Sequence, residues 1–337
     1  MENKKYYKNI NGLRALTCFG IVMLHVYNNG NFIINNSKLE LSIIILHELV
    51  ALFATISAFC SCNSHYQEIV ENKFDVSKFY KAKYKRLLPL FLFLCLLDLV
   101  LNRNIKALID TITNCTLIFG LFIKGKTDIE TIGVGWFIGM IFVFYMIFPY
   151  FCFLLANKKR AWFSFTISII IQYFAINVYG VERINIIYFM PYFLFGGIIY
   201  LYKKEIKNYI EKYANIFRLL LIIALYLYNV TIGPTEYMKI ILYGLLLIYA
   251  ISCKSCILGN EVSHIVGKYS MEIYLVHMVI YRFIALFNIN ILSSGNFFTL
   301  IADSMLITAL SLLFAICFNL VIKRVSLLLI KKSRYNQ

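Results

Sequence analysis

Ten apolar runs of 15 to 26 residues recur from one end of the chain to the other: 13–27, 39–60, 87–101, 133–156, 161–179, 185–202, 216–232, 238–252, 269–289 and 297–322. About 20 apolar residues make one helical crossing of a bilayer. In lipid, backbone N–H and C=O groups must be satisfied internally, so the chain has few structures open to it. The expected fold is all-α: a polytopic membrane helix bundle of ten transmembrane helices. Composition agrees, with 61% hydrophobic residues, 15% charged residues and a mean hydropathy of +0.74. A soluble domain of this length carries far more charge. The loops are short, so 1–337 is read as a single membrane domain, multi-pass in the cytoplasmic (inner) membrane.

The first run follows Lys4, Lys5 and Lys8, as the apolar part of a secretory leader would. It leads into His25-Val26-Tyr27-Asn28 rather than a small-residue cleavage site. An uncleaved first span is expected.

A weaker run, 107–123, is interrupted by Asp110, Asn114, three threonines and a glycine. Loop charge decides its place. With ten spans and a cytoplasmic N-terminus, 25 Lys and Arg face the cytoplasm and 8 face outward. If 107–123 also crosses, every later loop flips and the split becomes 15 to 18. Cytoplasmic loops collect Lys and Arg, which favours the first arrangement. Both termini are then cytoplasmic, and 107–123 is a re-entrant or interfacial helix on the outer side. Such a segment needs protein or a water-filled cavity around it, so 102–132 is a candidate lid or cleft element.

The net charge of +16 follows from the same bias, and no nucleic-acid partner is expected. Nine cysteines lie mostly within apolar runs. Cys253 and Cys256 are spaced like half of a zinc site, but no second pair accompanies them and four ligands are normally needed. No metal and no disulfide framework is expected.

Ionisable residues inside spans are costly and usually face the bundle interior. In NGLRALTCFGIVMLHV, Arg14 and His25 are 11 residues apart. At 100° and 1.5 Å per residue, they share a stripe about 16 Å long. An arginine there could be an interfacial anchor and a histidine a packing residue; both could equally belong to a site. In FDVSKFYKAKYKRLLPL (74–90), Lys83 and Arg86 are spaced i, i+3 and can converge on one ligand. The cluster is either a topology signal or a phosphate site. Trp136 opens a further span, where an aromatic belt residue is also common. In GKYSMEIYLVH (267–277), Tyr274 and His277 share a helix face and Glu272 points elsewhere. Asp98 and Asp303 are further acids within or at the ends of spans.

Five stretches in order resemble the acyltransferase-3 family of integral membrane O-acyltransferases. NGLRALTCFGIVMLHV is similar to the family's first helix, with an Arg, ten residues, then a His. LFATISAFC (52–60) resembles its FF-x-ISG-[FY]-L segment. KYKRLLP (83–89) resembles its R-x-x-R-x-x-P. GWFIGMIFVFYMIFP (135–149) resembles its W-x-L…FY-[LM]…P. GKYSMEIYLVH resembles its G-x-x-S-x-x-[IL]-Y-L-x-H. The resemblance implies ten core helices and acyl transfer, usually acetyl from acetyl-CoA, to a hydroxyl of a cell-envelope carbohydrate. The chain looks like a short-form surface-polysaccharide O-acetyltransferase without a fused esterase-like domain. It implies His25 and Arg14 as catalytic, Lys83, Arg86 and Arg14 at the acyl-CoA, and Trp136, Glu272, Tyr274 and His277 at the acceptor. Three departures stand out. Lys83 replaces an arginine, Ala58 replaces a glycine, and Met140 and Ile141 stand where many relatives carry an acid, a role Glu272 could take. A transporter or flippase of an envelope glycan is the alternative from another class, although no internal repeat is seen. A small-metabolite acceptor is the alternative within the acyltransferase reading.

Overall fold

The computed structural model describes residues 7–117, 119–121, 134–230, 236–253, 255–286 and 294–335. The chain is helical almost throughout. In order it forms α1 (Lys8–Asn29), α2 (Ser37–Ile44), α3 (Leu49–Val70), α4 (Val76–Asn102), α5 (Ile105–Cys115), α6 (Trp136–Leu154), α7 (Lys158–Asn177) and α8 (Ile186–Leu201). There follow α9 (Lys203–Lys212), α10 (Ala214–Val230), α11 (Glu236–Ser252), α12 (Cys256–Gly259), α13 (Glu261–Lys268), α14 (Ser270–Leu286) and α15 (Phe297–Tyr335). One departure from the all-α expectation is a two-residue parallel pairing of β1 (Asn31–Phe32) with β2 (Ser294–Gly295). It ties the segment after α1 to the start of α15.

A helix occupies the described part of each of the ten apolar runs. Among the described residues, four helices are long and apolar enough to cross a membrane, or up to six if each of two bent pairs counts as one span, fewer than the ten expected. Two of the other runs form α10 and α11, of 17 residues each, close to the lower limit for a crossing.

On two helices polar residues are buried while large aliphatic ones are exposed. On α5, Thr111 and Asn114 are buried while Ile105, Leu108, Ile109 and Ile112 are exposed. On α15, Asp303, Ser304, Thr308 and Ser311 are buried while Met305, Leu313, Leu320 and Val321 are exposed. Polar groups inside and aliphatic groups outside suit a lipid surround.

The 107–123 element is a short helix beside α4. Arg103 takes a left-handed conformation (φ 47°) and reverses the chain after α4. Asn104 then caps α5 by accepting from the Ala107 N–H at 2.7 Å. With 11 residues, α5 is about 16 Å long, half a bilayer core. Residues 118 and 122–132, which include the last part of the expected lid over 102–132, lie outside the described residues.

α1 is the central helix and touches α3, α11, α13, α14 and α15. Its first turns lock onto α12 and α13 with almost no space between backbones. A Cβ on Gly267 would sit 1.8 Å from the Asn11 carbonyl oxygen, and one on Gly12 would sit 2.1 Å from that of Leu258. Polar contacts hold the same seam. Asn9 donates to the Cys253 carbonyl at 2.7 Å, Asn11 donates to His264 Nδ1 at 3.1 Å, and Lys8 meets Glu261 at 2.6 Å. This clamp sets the register of α1 against α13 and, across a 76° break at Tyr269, against α14. Because the obstruction is backbone, it cannot rotate away. Gly267→Val is expected to cost about 1–3 kcal/mol and to lower the melting temperature of the detergent-purified protein; an unchanged melt would refute the tight seam.

Candidate functional site

Three cationic side chains that are distant in sequence converge. Arg14 on α1 and Lys83 and Arg86 on α4 line one small open cleft, with Ser57 of α3, Tyr145 of α6 and Ser270 of α14. Asp75 starts α4 by accepting from the Lys78 N–H at 2.9 Å, and the helix then carries Lys83 and Arg86 to the cleft. The Lys83 ammonium lies 4.1 Å from the centre of the Tyr145 ring and 5.0 Å from that of Phe79. These faces hold the charge in place without neutralising it. Arg86 reaches the Lys268 carbonyl at 3.5 Å, just before the break between α13 and α14. Ser270 and Met271 begin α14 and also line the cleft, so the positive end of the helix dipole adds to the three cations. The arrangement suits a phosphate-bearing ligand.

The second constellation lies farther along α1 and α14, two of the helices that border the cleft. His25 of α1 and His277 of α14 face each other with ring centroids 5.2 Å apart. His277 is fully buried. Its Nδ1 lies 2.7 Å from the Tyr274 carbonyl oxygen. A carbonyl oxygen only accepts, so Nδ1 carries the hydrogen. In the neutral ring the Nε2 lone pair is then open, and Nε2 has no hydrogen-bond partner among the described residues. His277 is seven residues beyond Ser270, about 10 Å along α14, and His25 is 11 beyond Arg14, about 16 Å along α1. A cationic cleft at one level and a histidine pair at another are thus joined by a single seam.

Tyr274 sits one turn below His277 and donates to the Val134 carbonyl at 2.8 Å. It also packs edge-on against Phe137, tying the histidine pair to the start of α6. Trp136 is the first residue of α6, nine residues from Tyr145 and therefore about 13 Å from the cleft. Its ring packs on Phe137 and Phe189 and lies 5.6 Å from the Arg183 guanidinium.

Glu272 is buried on α14 within electrostatic reach of Cys18 of α1, between the cleft and the histidines, and its Oε2 lacks a hydrogen-bond partner among the described residues. Another carboxylate, Glu48, lies with its Oε2 3.8 Å from Arg183, the cation over the Trp136 ring. Ala58 is fully buried, and a Cβ on Gly196 of α8 would stand 3.1 Å from the Ala58 methyl. A small residue at 58 therefore serves the contact between α3 and α8. Cys253 and Cys256 are free thiols, and among the described residues no cluster of His, Cys, Asp or Glu could hold a metal.

The family model described as an acyltransferase domain (Acyl_transf_3) matches residues 7–324. The chain belongs to the acyltransferase-3 family. It is a membrane acyltransferase and needs an acyl donor and an acceptor. No curated protein and no solved structure matches it.

In this acyltransferase the candidate residues fall into two groups, the cations in the cleft and His25 with His277. Trp136 stands apart from the cleft, and Glu272 lies along the seam. Sequence reasoning did not single out Ser57, Tyr145 or Ser270, although each lies inside a motif it quoted. It also counted Arg183 and Lys239 only as loop charges. Their flanking position at apolar runs carried a signal, but their common partner, Glu48, could be found only in three dimensions.

Proposed function

We propose that this protein transfers an acyl group, most simply acetyl, from cytoplasmic acyl-CoA to a hydroxyl of a cell-envelope carbohydrate. One observation carries the reading: α1 and α14, which both border the cationic cleft, also carry the histidine pair, a distance away similar in scale to the reach of an acyl-pantetheine arm. The CoA phosphates sit at Arg14, Lys83 and Arg86. The arm runs along the seam between α1 and α14, where the Glu272 carboxylate accepts from its amide groups. The thioester then lies at His25 and His277. The proposed setting is a cytoplasmic membrane with ten crossings and both termini inside, so the acceptor approaches from the outer side past Trp136.

His25 acts as general base. Its neutral imidazole takes the proton of the acceptor hydroxyl as the oxygen attacks the thioester carbonyl. The new C–O bond forms, the C–S bond breaks, and the thiolate leaving as CoA takes the proton from the imidazolium. Base assistance of this kind is worth roughly 10²–10⁴-fold in rate.

The purified protein in detergent is expected to move label from acetyl-CoA onto cell-envelope polysaccharide. Arg86→Gln should raise KM for acetyl-CoA roughly ten- to a hundredfold, the worth of one hydrogen bond to a charged group. Failure of the wild type to transfer label would overturn the reading, and an unchanged KM would move the phosphates elsewhere.

A further inference from the structure

A second charged centre lies at the end of the bundle away from the cleft. Glu48 precedes α3, nine residues before the cleft residue Ser57, just as Trp136 precedes Tyr145 by nine on α6. Three basic side chains face Glu48. Lys239 Nζ lies 3.1 Å and His47 Nε2 2.7 Å from Oε1, and Arg183 Nη2 lies 3.8 Å from Oε2. Arg183 also donates to the His47 carbonyl at 2.9 Å and lies over the Trp136 ring.

Among the described residues, Glu48 is the carboxylate that pairs with all three. The Lys239 side chain is only 4% exposed, where an ammonium must be paired, whereas Arg183 is the cation that Glu48 holds least closely. Glu48 Oε2 and Arg183 Nε have no hydrogen-bond partner among the described residues. The centre is not sealed, since the side chains of His47 and Arg183 are 41% and 30% exposed. Through Trp136, Phe137 and Tyr274 it adjoins the histidine pair.

We infer that Arg183, Lys239 and His47, with Trp136 as an apolar platform, bind an anionic group of the acceptor. The acceptor is then a sugar or polyol bearing a carboxylate or phosphate near its hydroxyls. This rests on the acyltransferase reading. Glu48 holds the cations in place until the anion arrives, and Trp136 offers a flat face to the C–H side of a sugar ring.

The chain has two tryptophans, so Trp162→Phe leaves Trp136 as the reporter. The full-length protein carrying that change is titrated in detergent, without acyl-CoA, with glucuronate, glycerol 3-phosphate and glucose. A saturable change in Trp136 fluorescence is expected with one or both anions and not with glucose; which anion binds tells carboxylate from phosphate. Arg183→Gln should weaken it tenfold or more. Glu48→Gln should tighten it several-fold, because it removes the competing anion. The signal should survive in Lys83→Gln/Arg86→Gln, which excludes binding in the donor cleft. Equal response to glucose, no response to either anion, or a Glu48→Gln protein that only melts lower would show a structural brace and overturn the inference. Acetyl transfer by the wild type to a neutral polymer would overturn it while leaving the acyltransferase reading intact.

Discussion

His25→Ala is expected to lower acyl transfer by about 10²–10⁴-fold while the protein still inserts and folds. The ring is partly exposed within the bundle, and no hydrogen bond from a described residue engages its nitrogens. The clamp that fixes α1 is built instead at Lys8, Asn9, Asn11 and Gly12. Loss of the imidazole therefore removes chemistry and leaves the register of α1 intact. Initial rates with labelled acetyl-CoA, alongside a melt of the same preparation, check both halves. An active His25→Ala enzyme would remove His25 from the reaction.

His277→Asn is expected to cost about 10²-fold in kcat with little change in stability. The asparagine amide can replace Nδ1 as donor to the Tyr274 carbonyl, so the buried hydrogen bond at 2.7 Å is retained. What disappears is Nε2, the one nitrogen of that ring without a partner. A histidine kept only for packing and its backbone bond would tolerate the change, and an unaltered kcat would show that. If the two histidines act as a unit, His25→Ala/His277→Asn should be no slower than His25→Ala alone, because effects within a unit do not add. Multiplying losses would assign the two rings to separate steps.

Much of the site was legible before any fold was known. The 11-residue spacing puts Arg14 and His25 on one stripe of α1 because helical geometry is periodic and local. The i, i+3 spacing of Lys83 and Arg86 works in the same way, and both side chains line the cleft. The surroundings of Glu272 were not recoverable, because they depend on which helix packs against α14. In the fold it lies within electrostatic reach of Cys18 of α1, while Glu48 pairs with Arg183, the cation over Trp136. Nothing in the spacing of Glu48, Arg183 and Lys239, nearly two hundred residues from first to last, marks them as neighbours.

The apolar runs by themselves determined a helical membrane protein, because lipid leaves the backbone no other partner than its own chain. The five motifs in order determined the family. Tertiary structure alone decided that His277 meets His25, that α4 brings its cations to Arg14, and that one carboxylate holds three basic residues at the other end. Those are pairings between helices, set by where backbones can approach. At Gly12 and Gly267 they approach too closely for any side chain, and that contact fixes the level at which α1 meets α14.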